Sequence, residues 1–449
     1  MRLVPILSIA MLLLAGVAAE GADDAISKLM RDPTSDESPA KTLPVAPPKP
    51  IPQQGEGPSV GTRPQGPLPI VMSARIGEHE GSTRLVIELS DPVNLRTFAL
   101  ANPDRVVIDM PEVSWRLGAP PRPTGFGAIK SYRYGQFRAG NSRMVIDLNQ
   151  PVTVSDALVI PPSSGFGYRV VIDLFPTTRP KFVAQAGWPA DLKQRESDAE
   201  KLAALIAAQQ LAPSRGGGKK IIVLDPGHGG LDSGTIGVNG LMEKELALAE
   251  GLKLERELRR RGYTVFMTRD NDTFVPLRQR VAIARADRAD LFIALHADSN
   301  PDPETTGTSI YTLNDGRSDR EASALARREN QSDAIAGVDL SGDNNPVAPI
   351  LINLAQRDTR NKSSEFASNA LKELGQVTNL LARSPHRSAS LAVLVAPDVP
   401  AVLIELGYLS NGADAAQMNT DSWRTKVADA IADAVDAQFA PSFGSQAAR

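Results

Sequence analysis

Four short runs in the first half of the chain repeat one pattern and limit what it can become. They are "TRLVIELS", "DRVVIDMP", "SRMVIDLN" and "YRVVIDLF". Each places an arginine (Arg84, Arg105, Arg143, Arg169), two apolar residues, an isoleucine and then an acid (Glu88, Asp109, Asp147, Asp173). The runs are β-branched and bounded by Asn, Asp, Gly and Pro, so they read as strands. Alternate residues of a strand share a face. The arginine, the middle residue and the acid therefore point one way, and the two flanking apolar residues point the other. Strands patterned like this bury one face only, which predicts a small all-β sandwich over residues 71–176 with charged pairs along one face. Their irregular spacing excludes a solenoid of regular repeats.

The rest of the chain supplies the surroundings. At 449 residues it is too long for a single ordinary core. Its 49 basic and 52 acidic residues nearly balance, so we expect no nucleic-acid partner. It has no cysteine, which excludes disulfides, thiolate metal sites and a cysteine nucleophile. Residues 1–19 carry Arg2, an apolar run to about Val17 and the small residues Ala18 and Ala19, the form of a cleaved signal peptide. We expect export to the periplasm and, after cleavage, no membrane span and a monomer. Residues 20–70 read as a disordered Pro-rich linker. The formal G-x-S-x-G match at Gly57–Gly61 lies in that tract, without the strand and helix a nucleophile elbow needs. Residues 177–218 read as a linker with helix-favouring composition, ending in a glycine tract that lacks the residues of a phosphate-binding loop.

From Lys219 the pattern alternates. "KIIVLDPG", "YTVFMTRD", "DLFIALHAD" and "TSIYTLN" read as strands, and "LAVLVAPDVPAVLIELGYLSN" as two more. "EKELALAEGLKLERELRRRG", "VPLRQRVAIARADRA", "RSDREASALARRENQSDAI" and the segment from Pro349 to Val377 read as helices. This is an α/β unit over 219–436 with a mainly parallel sheet flanked by helices, then a tail over 437–449. In such sheets function collects at the carboxyl ends of strands. His228, His296 and Glu405 fall there, and Glu243 opens the helix after the glycine-rich turn "DPGHGG". Two imidazoles, one carboxylate and an open position make a catalytic zinc site, where the metal brings the pKa of bound water to roughly 7. A further carboxylate must then move the proton, a role that suits Glu405. Glu243 competes with Glu245, since residues two apart face different ways on a helix. His386 lies in a polar loop and reads as solvated or substrate-side rather than as a ligand, and His79 as a solvated histidine near a turn.

Four segments, "VLDPGHGGLDSGTIGVNGLMEKEL", "MTRDNDTFVPLRQRVAIA", "LFIALHADS" and "PAVLIELGYLSN", resemble the catalytic domain of zinc-dependent N-acetylmuramoyl-L-alanine amidases, the amidase-3 family. The resemblance implies His228, Glu243 and His296 as zinc ligands and Glu405 as the catalytic glutamate. It implies hydrolysis of the amide between N-acetylmuramic acid and L-alanine in peptidoglycan. The "RVVID" strands resemble the AMIN domain, which implies wall binding and direction to the division septum. A segment over about 317–372 resembles the regulatory insert of the division amidases. That implies a helix over the zinc cleft, with Glu329 as its capping carboxylate and Glu321 as competitor, and displacement by an activator of LytM-domain type.

Overall fold

Pairing of the four charged runs explains their common pattern. The computed structural model describes residues 67–117, 126–138, 140–163, 165–194, 218–313, 319–338 and 352–440. The expected signal segment and nearly all of the Pro-rich tract lie outside the described residues. Strands β1 (Ile70–His79), β2 (Ser82–Leu89), β5 (Ser114–Trp115), β8 (Val152–Val154), β9 (Leu158–Ile160) and β10 (Tyr168–Pro176) form one sheet, in the order β5-β1-β2-β10-β8 with β9 on β10. A second sheet runs β3 (Arg96–Leu100), β4 (Arg105–Pro111), β7 (Asn141–Leu148) and β6 (Ile129–Arg138). β2 pairs antiparallel with β10 and β4 with β7, so the arginine of one run meets the acid of the other. Arg84 and Asp173 share two hydrogen bonds of 2.8 Å, and Arg143 and Asp109 share two of 2.5 and 2.8 Å. Opposite charges directly across a pair add to sheet stability. The alternate residues Leu85, Ile87, Val106, Ile108, Met144, Ile146 and Ile172 fill the space between the sheets.

The two outer faces have different fates, which the repeated pattern cannot distinguish. The outward pair Arg84–Asp173 of the first sheet is partly exposed. On the second sheet Arg105, Arg143 and Asp109 are buried, the two arginines each 1% exposed under the α/β unit, while Asp147 stays partly exposed. The segment read as a linker also packs in part. Helix α1 (Arg179–Gln185) drops Phe182 into the sandwich core, and Trp188 is buried. Most of the helix expected further along lies outside the described residues.

The α/β unit follows the alternation. Its elements are β11 (Ile221–Pro226), α2 (Glu243–Arg260), β12 (Thr264–Met267), α3 (Leu277–Ala286), β13 (Leu291–His296), β14 (Ser309–Leu313), α4 (Arg320–Glu329), α5 (Ser332–Ile335), α6 (Ile352–Leu374), β15 (His386–Ala389), β16 (Ala401–Glu405), α7 (Gly412–Met418) and α8 (Asp421–Phe439). The sheet order is β12-β11-β13-β16-β14-β15, with the first four strands parallel and β14 antiparallel to β16. Successive strand residues face opposite layers. Ile222, Leu224, Ile293 and Leu295 pack under α2, α6 and α8, while Val223, Phe292 and Ala294 pack under α3 and α4.

Two expectations are corrected here. "LAVLV" forms a 3-10 turn (Ala392–Leu394) whose Val393 and Leu394 are buried, and the strand lies earlier, at His386–Ala389. His386 is thus in a strand, half-buried, with Nε2 3.1 Å from the Thr312 hydroxyl. The insert expected over 317–372 also reaches too far, because Phe366, Ala367 and Ala370 of α6 belong to the core. Among the described residues of that region, the stretch 320–338 lies outside this core layer.

Glu250 on α2 is fully buried, and neither carboxylate oxygen has a hydrogen-bond partner. Burial raises its pKa to about 8, against the pull of Arg424 and Lys253. The folded chain therefore holds a proton that the unfolded chain, with an ordinary Glu near 4.3, releases above that pH. Stability from this group is present at low pH and lost as pH rises toward 8, by an amount on the order of a few kcal/mol. Glu250→Gln should flatten that decline and raise the melting temperature at pH 8, as read by thermal unfolding at pH 5 to 9.

Candidate metal centre

Three neighbouring strands end at one place. Register pairs His296 with Glu405 across β13 and β16, and Pro226 with Leu295 across β11 and β13. From β11 the chain moves outward to β12 and then crosses back to β13, so the crevice at these strand ends is the sheet's switch point. His228, just past β11, sits at φ 59, a left-handed conformation uncommon outside glycine. That turn aims its ring back over the sheet.

Glu243 ties the crevice together from the first position of α2. Its Oε2 accepts from Thr235 N at 2.8 Å, and its Oε1 accepts from Ala297 N at 2.9 Å. The same Oε1 lies 3.0 Å from His228 Nε2 and 3.1 Å from His296 Nδ1. Glu329, the last residue of α4, is buried beside them, with Oε2 3.0 Å from His296 Nδ1 and 3.5 Å from His228 Nε2. Glu321 is exposed and pairs with Arg387, and Glu245 is exposed on the far side of α2, so neither joins the group. His79 lies in the sandwich, at the end of β1.

The donor set fits a zinc ion. Bonds of about 2.0–2.1 Å in a tetrahedron put ligand atoms roughly 3.3 Å apart. The four nitrogen–oxygen separations above run from 3.0 to 3.5 Å. His228 Nε2 is buried and has no hydrogen-bond partner, as expected of a lone pair aimed at a shared point. His228 Nδ1 meets Asp232 at 2.9 Å, which fixes the ring and leaves Nε2 to the centre. Glycines leave the room: a Cβ at Gly234 would stand 2.6 Å from both Glu243 Oε2 and the His228 ring, and one at Gly227 2.4 Å from the His296 ring.

Charge follows the same geometry. Burial alone would lower both imidazoles. Glu243, Asp232 and Glu329 outweigh it and raise His228 well above its usual range, and His296 rises to about 10 through Glu329 and Glu243. Glu405 is fully buried, with Oε2 accepting from Asp298 N at 3.0 Å and Oε1 without a partner. Burial, then the nearby Asp298, Glu243 and Glu329, push its carboxyl well above the usual range.

Known proteins share this arrangement's sequence. Residues 222–437 match the family described as N-acetylmuramoyl-L-alanine amidase, and residues 73–174 match the AMIN domain. A Neisseria meningitidis serogroup B protein named N-acetylmuramoyl-L-alanine amidase AmiC is 36% identical over 377 residues, covering 82% of this chain and 89% of that protein. The chain is an enzyme of the N-acetylmuramoyl-L-alanine amidase family. An Escherichia coli AmiC is 34% identical, again over 82% of this chain and 89% of its own length. E. coli AmiA is 39% identical over 50% of this chain and 78% of its own.

Sequence reasoning brought His228, Glu243, His296, Glu405 and Glu329 into view but missed the amidase's supports. Arg280 donates to Asp225 (2.8 Å), Pro226 O (2.9 Å) and His228 O (2.8 Å), and Arg269 donates to Pro226 O (2.9 Å) and Gly227 O (2.7 Å). They hold the turn by its carbonyls, and no spacing rule encodes that. Asp232 was detectable, four residues past His228. Asp298 pairs with Arg328, which joins α4 to the strand end.

Arg280 and Asp225 are 1% and 0% exposed. Breaking a buried ion pair by removing one partner leaves an uncompensated charge and costs about 3–5 kcal/mol. Arg280→Met should lose stability of that order in chemical denaturation.

Proposed function

We propose that the protein is a zinc-dependent, exported peptidoglycan amidase. It cleaves the bond between N-acetylmuramic acid and L-alanine, and it rests in a covered state. The observation that carries this reading is the meeting of Glu329 with His228, Glu243 and His296, whose ligand atoms lie within 4.8 Å of one another. Three of these residues suffice for a catalytic zinc site, which keeps one position open. Glu329 stands where that opening would be.

His228, Glu243 and His296 would hold the ion, and the bound ion would supply a Lewis acid that polarises the amide carbonyl and makes water acidic enough to attack at neutral pH. The remaining work belongs to this chain. Glu405, at the adjoining strand end, receives the proton of the attacking water and delivers it to the departing alanine nitrogen. The Asp298 N–H holds one Glu405 oxygen and leaves the other for this transfer. Asp232 keeps His228 oriented.

The covering helix makes the enzyme latent. A partner that binds the opened form more tightly than the closed one would activate it, and an activator of LytM-domain type fits the likeness to division amidases. The β-sandwich, as an AMIN domain, would hold the wall and bring the enzyme to the septum for daughter-cell separation. No helix among the described residues is long and apolar enough to cross a membrane.

Digestion of purified peptidoglycan, read by mass spectrometry, should yield free L-alanine amino termini and intact glycan. New amino termini within the stem peptide would instead mark a peptidase. Glu405→Gln should keep its zinc, by elemental analysis, while activity falls about 100- to 10,000-fold. Asp232→Asn should weaken zinc about 10- to 100-fold in chelator competition. Glu329→Ala should raise activity measured without any partner, and unchanged activity would remove the covered state from this reading.

A further inference from the structure

The buried outer face of the second sheet grips the covering segment, and grips it by its backbone. Beyond Glu329 the chain passes through Asn330 and Gln331 into α5 and leaves through Ala336–Val338. Arg105 donates to Ala334 O and Arg133 to Ile335 O. Arg143 Nη1 donates to Ala336 O at 3.2 Å and Gly337 O at 3.0 Å, and Trp188 Nε1 donates to Gly337 O at 3.3 Å. Four successive carbonyls are therefore taken by the sandwich. Unsatisfied carbonyls at a helix's C-terminal end carry partial negative charge, and cations are favoured there.

The guanidinium groups are set in place for this. Asp109 holds Arg143 from one edge through two hydrogen bonds, and the Phe137 ring lies 3.5 Å beneath it, so one edge faces the carbonyls. Asp147 holds Arg133 at 2.6 Å. Fixed, bidentate arginine geometry loses less entropy for each further bond. Thus the arginine-to-acid pattern that reads as sheet pairing also builds a rigid donor array. Shape agrees: Gly337 has φ +71, and a Cβ there would stand 3.1 Å from methyls of both Val107 and Val145. From the other side Ser332 donates to Asp232, and Asp333 accepts from Leu277 N at 2.9 Å. The segment three residues beyond Glu329 is held between the sandwich and the loop that carries His228.

We propose that the β-sandwich is a latch. Through Arg105, Arg133, Arg143 and Trp188 it clamps the Ala334–Gly337 carbonyls and keeps α4 over the metal centre, so parting of this interface is a step in opening. The proposal rests on the reading that Glu329 blocks the site. It gives the sandwich a role in control that is separate from holding the wall.

The test uses the full chain on purified peptidoglycan without a partner. Two variants attack the interface from opposite sides. Arg133→Gln removes a donor that is partly exposed, and Gly337→Leu wedges the faces apart without changing any residue of the sandwich. Each should raise basal activity about tenfold, the shift expected from loss of one charge-assisted hydrogen bond. Each should also speed amide hydrogen exchange over 320–338 while leaving exchange within the sandwich strands unchanged. Arg84→Gln, in the matching pair of the other sheet, should change neither. If Glu329→Ala activates the enzyme but Arg133→Gln and Gly337→Leu leave activity and exchange unchanged, the latch is overturned and the covered state stands. If Glu329→Ala also has no effect, both fall.

Discussion

One carboxylate holds the amidase's centre in shape. Glu243 starts α2, yet its two oxygens accept from Thr235 in the loop after β11 and from Ala297 just past β13. It thereby fixes the distance between two strand ends and places both imidazoles around one oxygen. A carboxylate with backbone N–H donors and charged neighbours stays ionised even when buried, and Glu243 lies well below its ordinary range: burial works to raise it, and His228 and His296 prevail. Without it, the loop carrying His228 and the strand carrying His296 would lose the carboxylate that also bonds the backbone of both.

Around that anchor the chain concentrates acid. Glu243, Glu329, Asp298 and Glu405 are all buried within a few residues' reach of two imidazoles and Arg328. Buried charges persist only when paired or bound to metal. The protein divides the burden by environment. Asp232 is held down to about 2: burial acts to raise it, and the His228 contact with the Ser332 hydroxyl and the Gly234 N–H overcomes that. Asp298 is raised to about 6, where burial and its acidic neighbours prevail over Arg328. Glu405 is raised well above its usual range by burial and then by Asp298, Glu243 and Glu329, against the pull of His296. Carboxyls pushed apart in this way can take different parts, some as ligands and one as a proton carrier.

How much of this could be read from the chain follows from which rule encodes each part. Strand ends in an α/β sheet are legible, so His228, His296 and Glu405 stood out by position alone. Choosing Glu243 over Glu245 needed the family likeness, and the structure gives the physical reason: one faces the crevice and the other faces water. The supports were illegible because they act on backbone. Arg269 and Arg280 hold carbonyls, and a carbonyl carries no residue identity to pattern against. The apolar run at Leu391 misled for another reason. An apolar run in which Leu391, Val393 and Leu394 are buried suits a strand or a packed 3-10 turn equally well, and packing against α3 and α4 decided it. The sandwich was legible as a sandwich, but identical charged patterns on its two faces hid that one of them is an interdomain surface.

In the proposed covered state, helix α4 would be held and released as a unit. It has ten residues, and its buried apolar side chains are only Ala322, Leu325 and Ala326. Isolated helices of that length are marginal in water, and so little apolar area cannot by itself fix one over a polar crevice. Retention therefore depends on the C-terminal end, where Arg328 meets Asp298, Glu329 meets the two imidazoles, Asn330 bonds to Ser390 and Ala392, and the following turn is clamped. Apart from His296, the last residue of β13, the partners lie outside the α/β sheet and outside the layer formed by α2, α6 and α8. On the proposed reading, opening would then need the loss of a few polar contacts in one place, while the core that positions His228, Glu243, His296 and Glu405 stays intact.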